Sequence, residues 1–151
     1  MEIKTEKVYI SKIELNNYRN FTNFEQEFSD NPVLIVGENG TGKTNILESI
    51  SLLSQGRGLK YAKFDEICAK YDSGDVQDWS SKILFRNNIG LFCTKSVFHR
   101  SNNKRQVELN DSKIRVKELA NFLNIIWITP ELHHIFIGAR IERLKFLDRI
   151  T

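Results

Sequence analysis

Residues 37–44, Gly37-Glu38-Asn39-Gly40-Thr41-Gly42-Lys43-Thr44, decide the fold, because they match the phosphate-binding loop pattern G-x-x-x-x-G-K-[ST]. Glycines allow the backbone of such a loop to curl, so that several N–H groups point at one phosphate. Lys43 supplies a positive charge for the terminal phosphates of a nucleotide, and the Thr44 hydroxyl is placed to bind Mg²⁺. The stretch therefore predicts a nucleotide site that uses Mg²⁺.

The flanking residues predict a strand before the loop and a helix after it. Val33-Leu34-Ile35-Val36 is a continuous apolar run, which is typical of a strand buried on both faces. Gly56 and Gly58 end the helix. The apolar residues of that helix recur at helical spacing and are Ile46, Leu47, Ile50 and Leu53. This order favours a true phosphate-binding loop over a chance glycine-rich turn, and it directs the helix N-terminus at the phosphate.

The remaining segments predict a sheet around this unit. Alternating residues from Val8 to Leu15 and from Phe24 to Phe28 predict two strands of a hairpin, joined by a polar loop at 16–20. Short apolar runs between 81 and 114, separated by polar turns, predict a small antiparallel sheet inserted after the loop helix. An amphipathic helix is predicted on the residues Val116, Leu119, Ala120 and Leu123. Ile125-Ile126-Trp127-Ile128 predicts a second fully buried strand, and a last helix is predicted after Gly138.

The composition is that of one globular domain. The chain has 151 residues, of which 40% are apolar and 27% charged, and its net charge of +3 permits a nucleic-acid partner without requiring one. Cys68 and Cys93, the two cysteines, make neither a disulfide framework nor a metal site. The polar start does not resemble a secretory signal, and no apolar stretch approaches the roughly 20 residues that span a bilayer. We therefore expect a cytoplasmic protein with no membrane partner.

Further motifs lie before and after the loop, in a specific order. The segments, in chain order around the loop, are Leu15–Phe21, Asn45–Ile50, Gly56–Lys60, Trp127–Glu131 and Arg143–Asp148. Together they resemble the N-terminal part of the RecF family of ABC-type ATPases, which are related to SMC proteins. The resemblance implies an α/β P-loop fold: the N-terminal lobe of an ABC-ATPase head over residues 1–151, with a mixed sheet and an antiparallel insertion at 81–114.

The resemblance also implies which residues bind the nucleotide, here ATP. Arg19 would lie near the adenine or ribose, although a solvated loop arginine is the alternative. Glu131 would occupy the position of the Q-loop residue that senses Mg²⁺ or the attacking water, and a helix-capping role is its alternative. Thr44 would bind Mg²⁺. The loop residues implied in ATP binding are Gly37, Glu38, Asn39, Gly40, Thr41, Gly42, Lys43 and Thr44.

Basic residues are candidates for DNA contact. Arg57 and Lys60 lie where the RecF family carries a basic motif, and a dimer interface is their alternative role. Arg100, Lys104 and Arg105 form a cluster that could neutralise phosphates, although a solvated hairpin is the plainer interpretation. His133-His134 is not predicted to bind metal, because adjacent helical residues point about 100° apart.

The family resemblance implies a role in DNA replication, recombinational repair and the SOS response. It implies DNA binding at single-strand gaps, cooperation with RecO and RecR, an ATP-dependent homodimer and a weak DNA-dependent ATPase activity. The signature and Walker B motifs are not found between Met1 and Thr151, and Asp65-Glu66 lacks the apolar strand that would precede Walker B. Leu144 replaces an arginine of the family pattern. The alternatives are the N-terminal lobe of another SMC-like ATPase and a truncated, non-catalytic remnant.

Overall fold

A six-stranded antiparallel sheet, ordered β2-β1-β3-β4-β5-β6, forms the centre of the structure. The structure is a computed structural model that describes residues 7–69 and 77–130, together with Leu144. The strands are β1 (Tyr9–Tyr18), β2 (Phe21–Glu27), β3 (Trp79–Arg86), β4 (Leu91–His99), β5 (Lys104–Leu109) and β6 (Ser112–Lys113). Helix α1 spans Lys43–Ser51, and short 3₁₀ helices span Phe64–Ile67, Arg100–Asn102 and Val116–Asn121.

The predicted hairpin before the loop is confirmed. Strands β1 and β2 pair antiparallel, with Leu15 opposite Phe24 and Tyr18 opposite Phe21. The polar stretch after Leu15 is mostly strand, so the connection is reduced to a tight turn at Arg19 and Asn20. Arg19 has a positive φ of 57°, which is uncommon for a residue with a side chain and needs support from its surroundings.

Strands β3 to β6 contain the antiparallel pairs predicted after the loop helix. They do not form a separate sheet, because β3 pairs directly with β1. The register places Ile13 opposite Ile83, so the apolar faces of the two strands coincide. Helix α1 and the hairpin that precedes it therefore share one core with the strands that follow.

The core lies on one face of the sheet, where alternate residues of β3 are buried. Its centre is aromatic: the rings of Tyr18 and Trp79 meet edge-to-face with centroids 5.4 Å apart, and Phe98 stacks on Trp79 at 6.0 Å. The Trp79 indole N–H donates to the Phe64 carbonyl at 2.7 Å, which attaches the 3₁₀ helix there. The residues that bring α1 and its C-terminal turn into this cluster are Ile46, Leu52 and Leu53.

The two strands predicted to be fully buried are not strands in this structure, so that prediction is wrong for the described chain. Val33, Leu34 and Val36 are 53%, 85% and 77% exposed, and Ile126 and Ile128 are 53% and 81% exposed. Residues 33–36 make no backbone hydrogen bond within the described part of the chain. A buried strand must pair along its edges with neighbouring strands. No described strand pairs with either apolar run.

The helix predicted around Val116–Leu123 is a short 3₁₀ helix in which Leu119 is the buried residue. Leu144, predicted to pack on a helical face, has helical backbone and is 46% exposed. No helix in the described ranges is long and apolar enough to cross a membrane. Several predictions fall outside the described residues, namely those for Glu131, His133-His134, the helix after Gly138 and the segment 145–148.

Paired substitutions test the contrast between the sheet core and the exposed run. Ile83→Ala removes a fully buried side chain and should lower the free energy of unfolding by about 3 kcal/mol. Leu34→Ala removes an exposed side chain and should change it by less than about 0.5 kcal/mol. Urea denaturation of both variants gives the two values. Comparable losses would mean that residues 33–36 are packed in solution.

Candidate nucleotide-binding site

The predicted loop turns sharply into α1 at Gly42. Gly42 is the N-cap of the helix and has a left-handed φ of 103°. A Cβ at this position would lie 2.5 Å from the Phe21 ring and 2.8 Å from the Asn20 side chain. Only glycine fits, because any other residue would meet the β1–β2 turn as well as adopting a strained backbone. The loop therefore rests directly on the hairpin turn.

Backbone N–H groups at the start of α1 are available to a ligand. Within the described residues, no protein acceptor pairs with the N–H groups of Gly40, Gly42, Lys43 and Thr44. The first turn of the helix carries no acidic residue and no side chain caps it. Unpaired N–H groups and the positive end of the helix dipole form an anion site in phosphate-binding loops.

Lys43 lies back over this loop. Its ammonium donates to the carbonyls of Gly37 and Glu38 at 2.7 and 2.6 Å, and the Thr41 hydroxyl donates to the Glu38 carbonyl at 2.9 Å. A phosphate oxygen can replace these neutral acceptors, since a charged acceptor forms the stronger hydrogen bond with an ammonium. The Thr44 side chain is exposed next to the free N–H groups. Its hydroxyl is the type of oxygen ligand that Mg²⁺ accepts, so the donor set fits a Mg²⁺–nucleotide.

A groove of about 460 Å³ opens beside the loop. Lys43 and Thr41 lie on its wall, together with the aromatic side chains of Phe21, Phe24 and Phe28. The rings of Phe21 and Phe24 contact each other with centroids 4.8 Å apart. The site thus combines phosphate-binding groups with an adjoining apolar wall.

Arg19 lies beside the loop, but its guanidinium is already engaged. Nε and Nη2 donate to the two carboxylate oxygens of Glu48 at 2.8 and 2.5 Å, and Nη1 donates to the Glu66 carbonyl at 2.8 Å. Glu48 is on α1 and is fully buried, so the bidentate pair ties the β1–β2 turn to the helix. The hydrogen bonds to Glu48 raise the pKa of Arg19 above its ordinary value.

The contact of Arg19 with adenine or ribose stays a prediction, and it would require the guanidinium to change partners. Each donor nitrogen of the guanidinium has a protein acceptor, and the side chain would have to leave Glu48 to reach a base. That exchange would leave the buried Glu48 carboxylate with the Lys60 ammonium, at 3.7 Å, as its remaining cation among the described residues. The role that the structure gives Arg19 is to fix the turn against α1.

The basic residues predicted to contact DNA occupy different environments. Arg57, Arg100 and Lys104 are exposed. Lys60 is more constrained, because its ammonium donates to the Asn45 side chain and lies 3.7 Å from Glu48. Arg57, Arg100 and Lys104 are available to contact phosphates, whereas Lys60, which is also exposed, already contacts Asn45 and Glu48.

Arg105, predicted to contact DNA, makes its contacts inside the protein. Its Nη2 donates to the Leu52 carbonyl at 2.6 Å and to the Ser96 hydroxyl at 3.0 Å, and the guanidinium lies over the Phe64 ring at 5.3 Å. Nε is buried and has no hydrogen-bond partner among the described residues, and burial lowers the pKa of Arg105 to about 10. Arg105 instead joins the sheet to the C-terminal end of α1, where a cation complements the helix dipole.

Sequence reasoning missed three side chains that shape the site: Asn20, Asn45 and Glu48. Helical spacing gave no signal for Glu48, because residues two apart on a helix point in nearly opposite directions and the apolar face of Ile46 and Ile50 would leave it exposed. Asn20 and Asn45 flank recognised motif residues, but nothing in their spacing showed that the folded chain brings them together. Their contacts depend on the hairpin meeting the helix.

The chain is similar to proteins of known kind. The family profile of the RecF/RecN/SMC N-terminal domain matches residues 9–132. The chain is 42% identical over 144 residues to the DNA replication and repair protein RecF of Rickettsia canadensis, an alignment that covers 95% of the chain and 39% of the relative. RecF of Rickettsia massiliae is also 42% identical, over the same shares. The chain thus spans about two fifths of the length of these curated relatives.

Solved structures agree in fold. The recombination mediator protein RecF with ATP, from the RecFOR pathway, has a TM-score of 0.77 at 27% identity, over 95% of this chain and 39% of that chain. The SMC head domain from Thermotoga maritima has a TM-score of 0.62 at 26% identity, over 74% of this chain and 41% of that chain. These similarities confirm the predicted α/β head-domain fold, although the described strands are all antiparallel.

Removing Arg19 tests whether the pair with Glu48 holds the site together. Arg19→Ala leaves a fully buried carboxylate without its bidentate partner, so the free energy of unfolding should fall by about 3 kcal/mol. Glu48→Gln in the Arg19→Ala background removes the unpaired negative charge and should recover part of the lost free energy of unfolding. Urea denaturation of the single and double variants gives the coupling. Strictly additive losses would show that the pair does not stabilise the fold.

Proposed function

The chain belongs to the RecF/RecN/SMC N-terminal domain family, and from this premise we propose that it is the ATP-binding lobe of a RecF-like protein of DNA replication and recombinational repair. The observation that carries the proposal is the loop itself: unpaired N–H groups at the start of α1 lie beside Lys43 and Thr44. The similarity to RecF with ATP supports ATP as the nucleotide. RecF relatives, rather than SMC heads, give the higher TM-scores among these structures.

Different groups of the loop bind the phosphates and the Mg²⁺ of the nucleotide. The N–H groups of Gly40 to Thr44 bind the phosphates, and the Lys43 ammonium exchanges its two carbonyl acceptors for phosphate oxygens. Gly37, Glu38 and Asn39 form the first half of the loop around them. The Thr44 hydroxyl would bind Mg²⁺, which neutralises phosphate charge when bound.

ATP turnover requires more than this lobe supplies. Hydrolysis needs a carboxylate that positions water and a group that stabilises the γ-phosphate from the opposite side. Glu48 is buried against Arg19 and cannot position water, which leaves the exposed Glu38 as the carboxylate within the loop. Glu131 remains a candidate for the Q-loop position.

The wider role follows from the family. The named relatives are DNA replication and repair proteins, and one similar structure belongs to the RecFOR pathway. We extend the proposal to binding of DNA at single-strand gaps in the cytoplasm, with RecO and RecR as partners, in the SOS response. An ATP-dependent homodimer would bring two such lobes together, and Arg57 would lie on exposed surface available to DNA or to the second lobe.

Substituting the loop lysine tests nucleotide binding. Lys43→Ala removes the charge that faces the terminal phosphates, so ATP binding with Mg²⁺ should fall below detection in titration calorimetry. Lys95→Ala is the matched control, because Lys95 is an exposed lysine on β4, and it should bind ATP like the unsubstituted chain. Equal ATP affinity in Lys43→Ala and the unsubstituted chain would contradict the site.

Substitutions of the exposed basic residues and of the engaged Arg105 should differ in their effect on DNA binding. A triple variant, Arg57→Ala with Arg100→Ala and Lys104→Ala, should weaken binding to a gapped duplex and reduce the steepness of log affinity against log salt by about 3. Arg105→Ala should reduce the melting temperature and leave that slope unchanged, because its guanidinium faces the core. Fluorescence anisotropy at several salt concentrations measures both. A salt-independent interaction, or a reduced slope in Arg105→Ala, would overturn the assignment.

A further inference from the structure

A line of side-chain hydrogen bonds runs from the phosphate-binding loop to Lys60. The Asn20 amide nitrogen donates to the Thr41 carbonyl at 3.2 Å. The Asn45 amide nitrogen donates to the Asn20 amide oxygen at 2.7 Å, and the Lys60 ammonium donates to the Asn45 amide oxygen. The line therefore joins the loop, the β1–β2 turn, α1 and the segment after the helix. None of these contacts belongs to the donor set that would bind phosphate.

The two ends of the line fix its direction. A backbone carbonyl can only accept a hydrogen bond, and an ammonium can only donate. With the Thr41 carbonyl at one end and Lys60 at the other, each asparagine must present its nitrogen toward the loop and its oxygen toward the lysine. Both amides are thus oriented by the network. Loss of either amide breaks the same line.

The turn that carries Asn20 is itself held in place. The Arg19 backbone N–H donates to the Ile67 carbonyl at 2.7 Å, and its side chain is paired with the buried Glu48. These contacts support the left-handed backbone of Arg19, which sets the direction of the Asn20 side chain. Gly42 packs against Asn20 and Phe21 with no room for a Cβ. The loop is therefore positioned by contact and by hydrogen bonding at the same turn.

We propose that Asn20 and Asn45 are positioning residues of the nucleotide site: they hold the Thr41 carbonyl so that the neighbouring loop N–H groups keep their phosphate-binding arrangement before ATP arrives. The proposal rests on the proposed ATP-binding function and deepens it. A preorganised loop loses less conformational freedom on binding, so losing the line should weaken affinity without removing any phosphate ligand. Because the line lies at the surface and competes with water, the expected effect is about fivefold in Kd.

Titration calorimetry of the full chain with ATP and Mg²⁺ tests the proposal, with melting temperature measured in the absence of nucleotide. Asn20→Ala and Asn45→Ala should each raise the Kd about fivefold, and the double variant should be no weaker than either single one, since both changes break one line. Asn23→Ala is the matched control: Asn23 is an exposed asparagine on β2 of the same hairpin, and its change should leave the Kd unaltered.

Asn45→Asp separates positioning from simple stabilisation. The carboxylate keeps an acceptor for Lys60 and adds an acidic residue to the first turn of α1, which has none, so the melting temperature should hold or rise. It loses the donor to Asn20, so ATP affinity should still fall. An unchanged Kd for ATP in Asn20→Ala and Asn45→Ala would overturn the positioning role but not the proposed ATP binding. Additive losses of ATP affinity that follow the melting temperature would have the same meaning. Absence of ATP binding by the unsubstituted chain would overturn the proposed function and this inference with it.

Discussion

The buried ion pair between Arg19 and Glu48 is the interaction on which the arrangement of the site depends. Glu48 is fully buried on α1, and its bidentate partner comes from the turn between β1 and β2. A buried pair gives little net stability compared with apolar packing, but breaking it leaves a charge that water cannot reach. The pair therefore specifies one relative placement of hairpin and helix. The strained turn, the 3₁₀ helix at Phe64–Ile67 and the loop itself all depend on that placement.

This placement explains how a short glycine-rich loop is positioned by the rest of the chain. Gly42 contacts Asn20 and Phe21 on the fixed turn, while the opposite end of α1 is held by Arg105 through the Leu52 carbonyl. Both ends of the helix are thus anchored to the sheet, and the free N–H groups remain at its N-terminus. The chemistry of phosphate binding resides in the loop, whereas the geometry is imposed by residues far away in sequence. Relatives that share only the loop pattern need not share this support.

Local patterns predicted most of the local structure. The loop, α1 and the β1–β2 hairpin follow from motif, helical spacing and alternation, which act over a few residues. The run at 33–36 was predicted to be a buried strand because it is continuously apolar. Its burial would depend on neighbouring strands, which the described structure does not place beside it. Arg105 was predicted to lie in a basic loop with Arg100 and Lys104 because the run from 100 to 105 is polar, while its position beneath the end of α1 is set by strand pairing. Long-range contacts of this kind leave no signature in spacing.

Loop, turn and helix are proposed to form one preset nucleotide site. Backbone and side-chain amide resonances report on it directly, so the decisive measurement is a ¹H–¹⁵N NMR titration of the full chain with ATP and Mg²⁺. We expect the backbone amides of Gly40 to Thr44 and the side-chain amides of Asn20 and Asn45 to shift together, with one affinity, while the side-chain amide of Asn23 does not shift. Shifts confined to other surfaces, or loop shifts that leave the Asn20 and Asn45 side chains unchanged, would contradict it.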